Sequence, residues 1–327
     1  MRPWTPSTGS RPVRLAVSLG CPCGVGPEVA AAEGLAGAEV VFYGDRGALE
    51  DAVRVRGVDL GDIRRVAVSD LAPEARRPGA PGVAAGVAQL AAIDAALAAV
   101  LSGEADAMVT GPVSKLAITR AGVDFLGHTE YLAARTGTAR VVMLFAGPRL
   151  RTSLVTTHVP VAELPARVTR EAVAFTVALT ARSLVSDFGV ARPRVAVAGL
   201  NPHAGEGGLL GREETDSVGP GVADARVALG SIALVDGPMP AEGAFRAARD
   251  GRYDAVVAMY HDQATIASKL LDFGDAVNVT LGLPFVRTSV DHGTAYDIAG
   301  RGLADARGMR AALELGATLA RGRRGAD

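Results

Sequence analysis

TREAVAFTVALTARSLVSDFGVARPRVAVAGLNPHAG, residues 169–205, sets a helix, a strand and a histidine-bearing turn in one run. Thr169 with Glu171 two residues on is an N-cap pattern, and it opens an Ala-rich helix over 169–188. The apolar run 195–198 reads as a strand, and Asn201-Pro202-His203-Ala204-Gly205 as the turn that leaves it. The same alternation extends in both directions. Strand-like runs fall at 13–19, 40–43, 107–109, 141–145, 153–156, 255–259 and 276–280, and 84–101 is a second clear helix. Short β-branched runs separated by longer helical segments predict an α/β fold whose strands are joined by crossover helices.

A chain of 327 residues is long enough for two lobes around a cleft. Lys plus Arg number 34 against 35 Asp plus Glu, and aromatics are 4%, so a basic surface or a stacking platform for nucleic acid is not expected. The opening 12 residues lack the apolar core of a signal peptide and no run of membrane-spanning length is apparent, which predicts a cytoplasmic protein without a membrane partner. The two cysteines, Cys21 and Cys23, cannot build a disulfide framework and fit a reducing compartment. Residues 71–82, rich in Pro and Gly, read as a surface loop, and 320–327 as a fraying tail.

All five histidines, at 128, 158, 203, 261 and 292, lie in turns after strand-like runs, where α/β proteins bind ligands. His158, His203 and His261 each follow a strand or its short continuation. Three neutral imidazoles from three strand ends could hold a divalent ion with room for substrate. Spacing alone equally allows three unrelated hydrogen-bonded turns, because no short HxH or HExxH pattern joins them. GCPCGVGPE (20–28) and TGPVSK (110–115) follow strands and could offer N–H groups to an anion or be simple tight turns, since neither matches a dinucleotide or P-loop fingerprint. Arg287 stands in an apolar stretch, where it needs either a protein carboxylate or a ligand anion, and Lys269 lies on a helix eight residues beyond His261.

Together the stretches GVGPE, TGPVSK, GHTEYLA, LVTTHVP, AGLNPHAGEGGLLGREE, YDAVVAMYHDQ and FGDAVNVTLGLPFVRTSVDHGTAYDIAG, spanning about residues 13–304, resemble the 4-hydroxythreonine-4-phosphate dehydrogenase (PdxA) family. The resemblance implies a two-lobed α/β/α dehydrogenase of the isocitrate/isopropylmalate dehydrogenase-like type, with the active site in the interlobe cleft and NAD bound without a Rossmann fold. It divides the chain into an extension (1–12), a cofactor-side lobe (13–125 with 285–327) and a metal and dimer lobe (126–284). One divalent ion per subunit (zinc, cobalt or magnesium) would be held by His158, His203 and His261 in a homodimer whose site the other subunit completes. His128, Thr129, Lys269, Asn278 and Arg287 would contact a small phosphorylated substrate. The loop Asp291-His292-Gly293-Thr294, with Gly24 and Gly26, would contact NAD. Lys269, His203 and Asp262 are the candidates for catalysis, Lys269 as a proton relay and Asp262 as the partner of His261.

The implied reaction is oxidation of the secondary alcohol of 4-phosphohydroxy-L-threonine, or of a related phosphothreonate or phosphoerythronate, with decarboxylation of the keto acid formed. A dihydrodiol dicarboxylate dehydrogenase shares the scaffold and is the enzymatic alternative; a metabolite-binding module on the same fold is the non-enzymatic one. Two positions depart from the family pattern. Cys21 takes a usually acidic place in the first Gly loop, either altering what a loop at the cleft recognises or only repacking it, and Ser114 replaces the commoner Asn or His.

Overall fold

The computed structural model describes residues 11–31, 37–61 and 63–326, so that the expected extension at 1–12 lies almost wholly outside the described residues. Its strands are β1 Val13–Ser18, β2 Ala38–Asp45, β3 Arg64–Ser69, β4 Ala107–Thr110, β5 Val142–Ala146, β6 Arg151–Leu154, β7 Arg194–Ala198, β8 Leu234–Met239, β9 Ala255–Ala258, β10 Val277–Leu281 and β11 Val286–Ser289. They form one sheet in the order β3-β2-β1-β4-β11-β10-β5-β6-β9-β7-β8. Strands β3 to β11 on one side and β6 to β8 on the other are mutually parallel, while β10 and β5 between them pair antiparallel with their neighbours.

Alternation along the strands feeds a core on each face. In β1, Leu15 and Val17 pack with Met309 and Leu313 of the C-terminal helix Arg307–Ala326, while Ala16 packs with Ile93 and Leu97 of the helix Val83–Leu101. In the other half, Val195 and Val197 of β7 meet Val173, Val177 and Leu184 of the helix Arg170–Ser186. Ala196 and Ala198 meet Ala244 and Ala248 of the helix Ala241–Arg249. Thr169 caps Arg170–Ser186 as its sequence predicts, its hydroxyl accepting from the Ala172 N–H at 3.2 Å. Thr169→Ala should cost about 1 kcal/mol of stability in denaturant unfolding; an unchanged midpoint would show that the cap is idle.

The eight expected strands are present, and β3, β8 and β11 are additional. β3 and β8 are the sheet's edges, the first opening on two arginines and the second carrying Gly237-Pro238, a composition that edges tolerate and that hides them from a periodicity reading. Two expectations are corrected. Of the expected fraying tail at 320–327, the described residues 320–326 are helix, held by Arg323 on the buried Asp187 at 2.9 Å and by Arg324 on Asp106; Asp327 lies outside the described residues. And one helix among the described residues, Val83–Leu101, is long and apolar enough to cross a membrane; in the fold one face of it, with Ile93 and Leu97, is buried against the sheet, while Val83, Val87 and Leu101 are exposed.

Candidate active site

His158, His203 and His261 leave the C-terminal ends of β6, β7 and β9, which are neighbours in the sheet. The rings of His158 and His261 face each other with centroids 5.8 Å apart. Asp262 Oδ1 lies 2.7 Å from His261 Nδ1, which places the ring proton there and leaves Nε2 as a free donor atom. Burial, and then the charge of Lys115, lower the pKa of His158 and keep it neutral.

His203 stands apart. It opens a turn in which the five residues His203–Gly207 all take left-handed dihedrals, φ 46–78°, at roughly 1–2 kcal/mol for each non-glycine member. Its side chain is 73% exposed and does not line the cavity that His158 and His261 border. Among the described residues of one chain no three His, Cys, Asp or Glu side chains form a metal-binding group.

The cavity, about 260 Å³, is lined by His158 and His261 on one side and by Lys115, His128, Thr129, Asn278, Arg287, Asp291, His292 and Gly293 around it. Arg287 decides its character. Alternation on β11 turns Val286 and Thr288 toward the C-terminal helix and Arg287 to the opposite face, where it is 3% exposed. Its Nη1 donates to Thr280 Oγ1 at 3.0 Å and its Nη2 to Thr110 Oγ1 at 2.7 Å. No carboxylate forms an ion pair with it among the described residues, although Glu130 also lines the cavity; burial lowers its pKa to about 10 against the opposing charge of Glu130.

Arg287 Nε, His128 Nε2 and Asn278 Oδ1 are buried polar atoms without a partner, and all three residues face this cavity. Native proteins leave few such atoms unpaired, so their convergence marks where a polar ligand sits. The Asn278 amide can turn to present its N–H₂ group. His128 begins the helix His128–Thr136, and burial together with the charges of Arg287 and Lys115 holds its pKa well below 6.5. The unfolded chain therefore binds a proton on His128 that the folded chain does not. Its contribution to stability is complete above pH 6.5 and is lost as pH falls below that value. Denaturant midpoints measured from about pH 8 to about pH 5 should show that slope, and His128→Asn should flatten it. An unchanged slope would mean that another group titrates.

Lys269 lies outside the cavity lining, with Nζ 3.4 Å from Asp291 Oδ2; Asp262 touches His261 alone. A second cavity, about 240 Å³ and mostly apolar, shares Asp291 and His292 with the first and continues along Val25, Ile298 and Asp305. Gly24 and Gly26 line neither of these two cavities. A Cβ on Gly24 would fall 2.8 Å from Thr294 O, and one on Gly26 2.1 Å from Leu19 O, so both allow close backbone contact, and Val25 N–H donates to Thr294 O at 3.0 Å. The first Gly loop thereby buttresses the loop 291–294.

Cys21 is fully buried, with Sγ 3.4 Å from Tyr296 Oη, and does not line the substrate cavity. A hydrogen bond from Cys23 acidifies it while Cys23 is pushed up. Of the two readings of Cys21, the placement favours repacking. Ser114 caps the helix Lys115–Arg120, its Oγ accepting from Ala117 N at 3.2 Å. Lys115, the last residue of TGPVSK, and Glu130, in GHTEYLA, line the cavity without having been expected there, although both lie in motifs already singled out.

A family model for pyridoxal phosphate biosynthetic protein PdxA matches residues 36–316. A 4-hydroxythreonine-4-phosphate dehydrogenase of Geobacter metallireducens is 46% identical, the match covering 94% of this chain and 96% of that protein. Among solved structures, the 4-hydroxythreonine-4-phosphate dehydrogenase of Klebsiella pneumoniae matches with a TM-score of 0.83 at 36% identity, covering 95% of this chain and 100% of that one. A terephthalate 1,2-cis-dihydrodiol dehydrogenase of Burkholderia xenovorans matches at 0.67 and 34%, covering 94% and 98%. The fold is thus that of the two-lobed α/β/α dehydrogenases. Within that class the chain belongs to the PdxA family.

Proposed function

We propose that this protein is an NAD-dependent, divalent-metal-dependent dehydrogenase that oxidises the secondary alcohol of 4-phosphohydroxy-L-threonine. The single observation that carries this reading is the buried Arg287, with no ion-pair partner at contact distance among the described residues, opening into the cavity that the His158–His261 pair borders. A buried guanidinium held only by neutral hydroxyls, with Glu130 acting on it from farther off, is costly, and a substrate anion offsets that cost.

His158 and His261 would hold the metal, the donor set being two imidazoles, one of them oriented by Asp262. The third ligand is His203 from a second copy, since within one chain His203 stays outside the cavity and is exposed. A bound divalent ion would supply polarisation of the substrate hydroxyl, and bound NAD would supply the hydride acceptor. Arg287, Lys115, His128, Thr129 and Asn278 grip the phosphate and orient the carbon that reacts. Lys269 would relay the hydroxyl proton, taking it up as its ammonium passes one to the Asp291 carboxylate 3.4 Å away, and the β-keto acid that results would lose carbon dioxide. Asp291 and His292, common to both cavities, put the cofactor loop 291–294 against the substrate.

The sheet order supports the division into lobes, because β1–β4 and β11 sit together and β5–β10 follow as a block. The dihydrodiol relative supports a second reading, in which Arg287 and Lys115 take a carboxylate; the TM-scores, 0.83 against 0.67, favour the first. Lys115→Met tests the anion grip. It should raise KM for the phosphorylated substrate about tenfold or more and leave a non-phosphorylated analogue nearly unaffected; equal effects on both would place Lys115 outside the phosphate contact.

A further inference from the structure

The turn that carries His203 cannot keep its shape by local preference, because His203, Ala204 and Glu206 all occupy the left-handed region at φ 54°, 52° and 46°. What opposes relaxation lies beneath it. Glu214, 6% exposed, opens the single π-helical turn Glu214–Val218. Its Oε1 accepts from the Asn201 backbone N–H at 2.7 Å and its Oε2 from Asn201 Nδ2 at 2.9 Å, while Glu213 Oε2 takes the other amide proton of Asn201 at 2.7 Å. The carboxylate also underlies the turn itself. A Cβ on Gly205 would come within 2.6 Å of Glu214 Oε2, and one on Gly199 within 3.0 Å of Glu214 Oε1. One buried carboxylate thus fastens the residue that enters the turn and fills the space under its middle. Charge-assisted bonds from a neutral amide satisfy both oxygens, which suits a buried anion with no cation beside it.

We propose that Glu214, acting through Asn201, is a positioning residue that holds the left-handed turn and so presents His203 as a metal ligand. The proposal rests on the metal reading given above. π-Turns inside helices recur beside functional sites, and here the turn places Glu214 under the loop. Glu214→Gln keeps the size of the side chain but sets an amide N–H₂ against the donors of Asn201. Asn201→Ala breaks the same contact from the loop side and guards against a folding defect peculiar to one variant.

Two measurements on the full-length, chelator-stripped protein test it. Amide hydrogen exchange without metal reads the turn directly, since Ala204, Leu209 and Leu210 donate within it to Asn201, Glu206 and Gly205. Both variants should exchange there about tenfold faster or more, with the helix Arg170–Ser186 unchanged. Zinc titration should then show affinity weakened about 10- to 100-fold, as for other residues that orient a ligand. Wild-type exchange, or wild-type zinc affinity in both variants, overturns the proposal. His203→Ala separates the two ways of failing. If it loses zinc while Glu214→Gln keeps it, the clamp is wrong; if it too keeps zinc, the metal reading itself has failed.

Discussion

His261→Ala should leave the protein without stoichiometric divalent metal and should lower kcat/KM by on the order of a thousandfold or more. Metal polarisation of an oxygen contributes several kcal/mol to a transition state, and about 1.4 kcal/mol is a factor of ten in rate. His261 is the proposed ligand whose ring has a carboxylate partner. Its ring is held by Asp262 at 2.7 Å, it faces His158 across 5.8 Å, and no other His, Cys, Asp or Glu cluster is present among the described residues to take over. Asp262→Asn should act more weakly in the same direction, costing metal affinity about 10- to 100-fold, because the orientation of the ring is lost but the ligand is not. Elemental analysis beside steady-state kinetics checks both. Full metal content and normal turnover in His261→Ala would remove this residue from the site.

Arg287→Met should separate activity from stability. The guanidinium is buried against two threonine hydroxyls with no carboxylate, so the fold gains little from its charge and carries the cost of desolvating it. Removing it should leave the melting temperature unchanged or raise it. For the phosphorylated substrate, kcat/KM should fall by about 10- to 150-fold for each charge-assisted hydrogen bond removed, at roughly 1.5–3 kcal/mol per bond. Arg287→Lys should not rescue, because one ammonium cannot reach Thr110, Thr280 and an anion together in the geometry of the planar fork. A strongly destabilised Arg287→Met with normal kinetics would make Arg287 a structural residue.

Most of the sheet was legible because its inner strands are continuous apolar runs followed by Gly, Asn or His turns, and β7 with its turn at 199–205 is the clearest case. β11 was not, since Val286-Arg287-Thr288-Ser289 has four residues, one apolar, and owes its place to pairing with β4 and β10 rather than to composition. The C-terminal helix was misread in its last turn because three arginines and two glycines look solvated. Asp187 and Asp106, which hold those arginines, are far away in sequence.

In the site, each histidine could be placed at a strand end, but convergence could not be read from spacing. The structure unites His158 with His261 and leaves His203 on an exposed turn, because β7 lies beyond β9 from the cavity. That Arg287 has no ion-pair partner among the described residues is likewise a three-dimensional fact, which sequence left as a choice between carboxylate and ligand. Cys21 shows the reverse case. A substitution that sequence left open between altered recognition and repacking is buried against Tyr296.

The most direct test of the central claim is NADH formation by the purified protein over a panel of 4-phosphohydroxy-L-threonine, its non-phosphorylated analogue, phosphorylated aldonates and a dihydrodiol dicarboxylate. Each substrate is assayed after chelation and again after divalent metal is restored. The expected result is turnover of 4-phosphohydroxy-L-threonine that vanishes on chelation, returns with metal, and exceeds that of the non-phosphorylated analogue by at least about a hundredfold. Metal-independent turnover, or a preference for the dihydrodiol over every phosphorylated substrate, would contradict it.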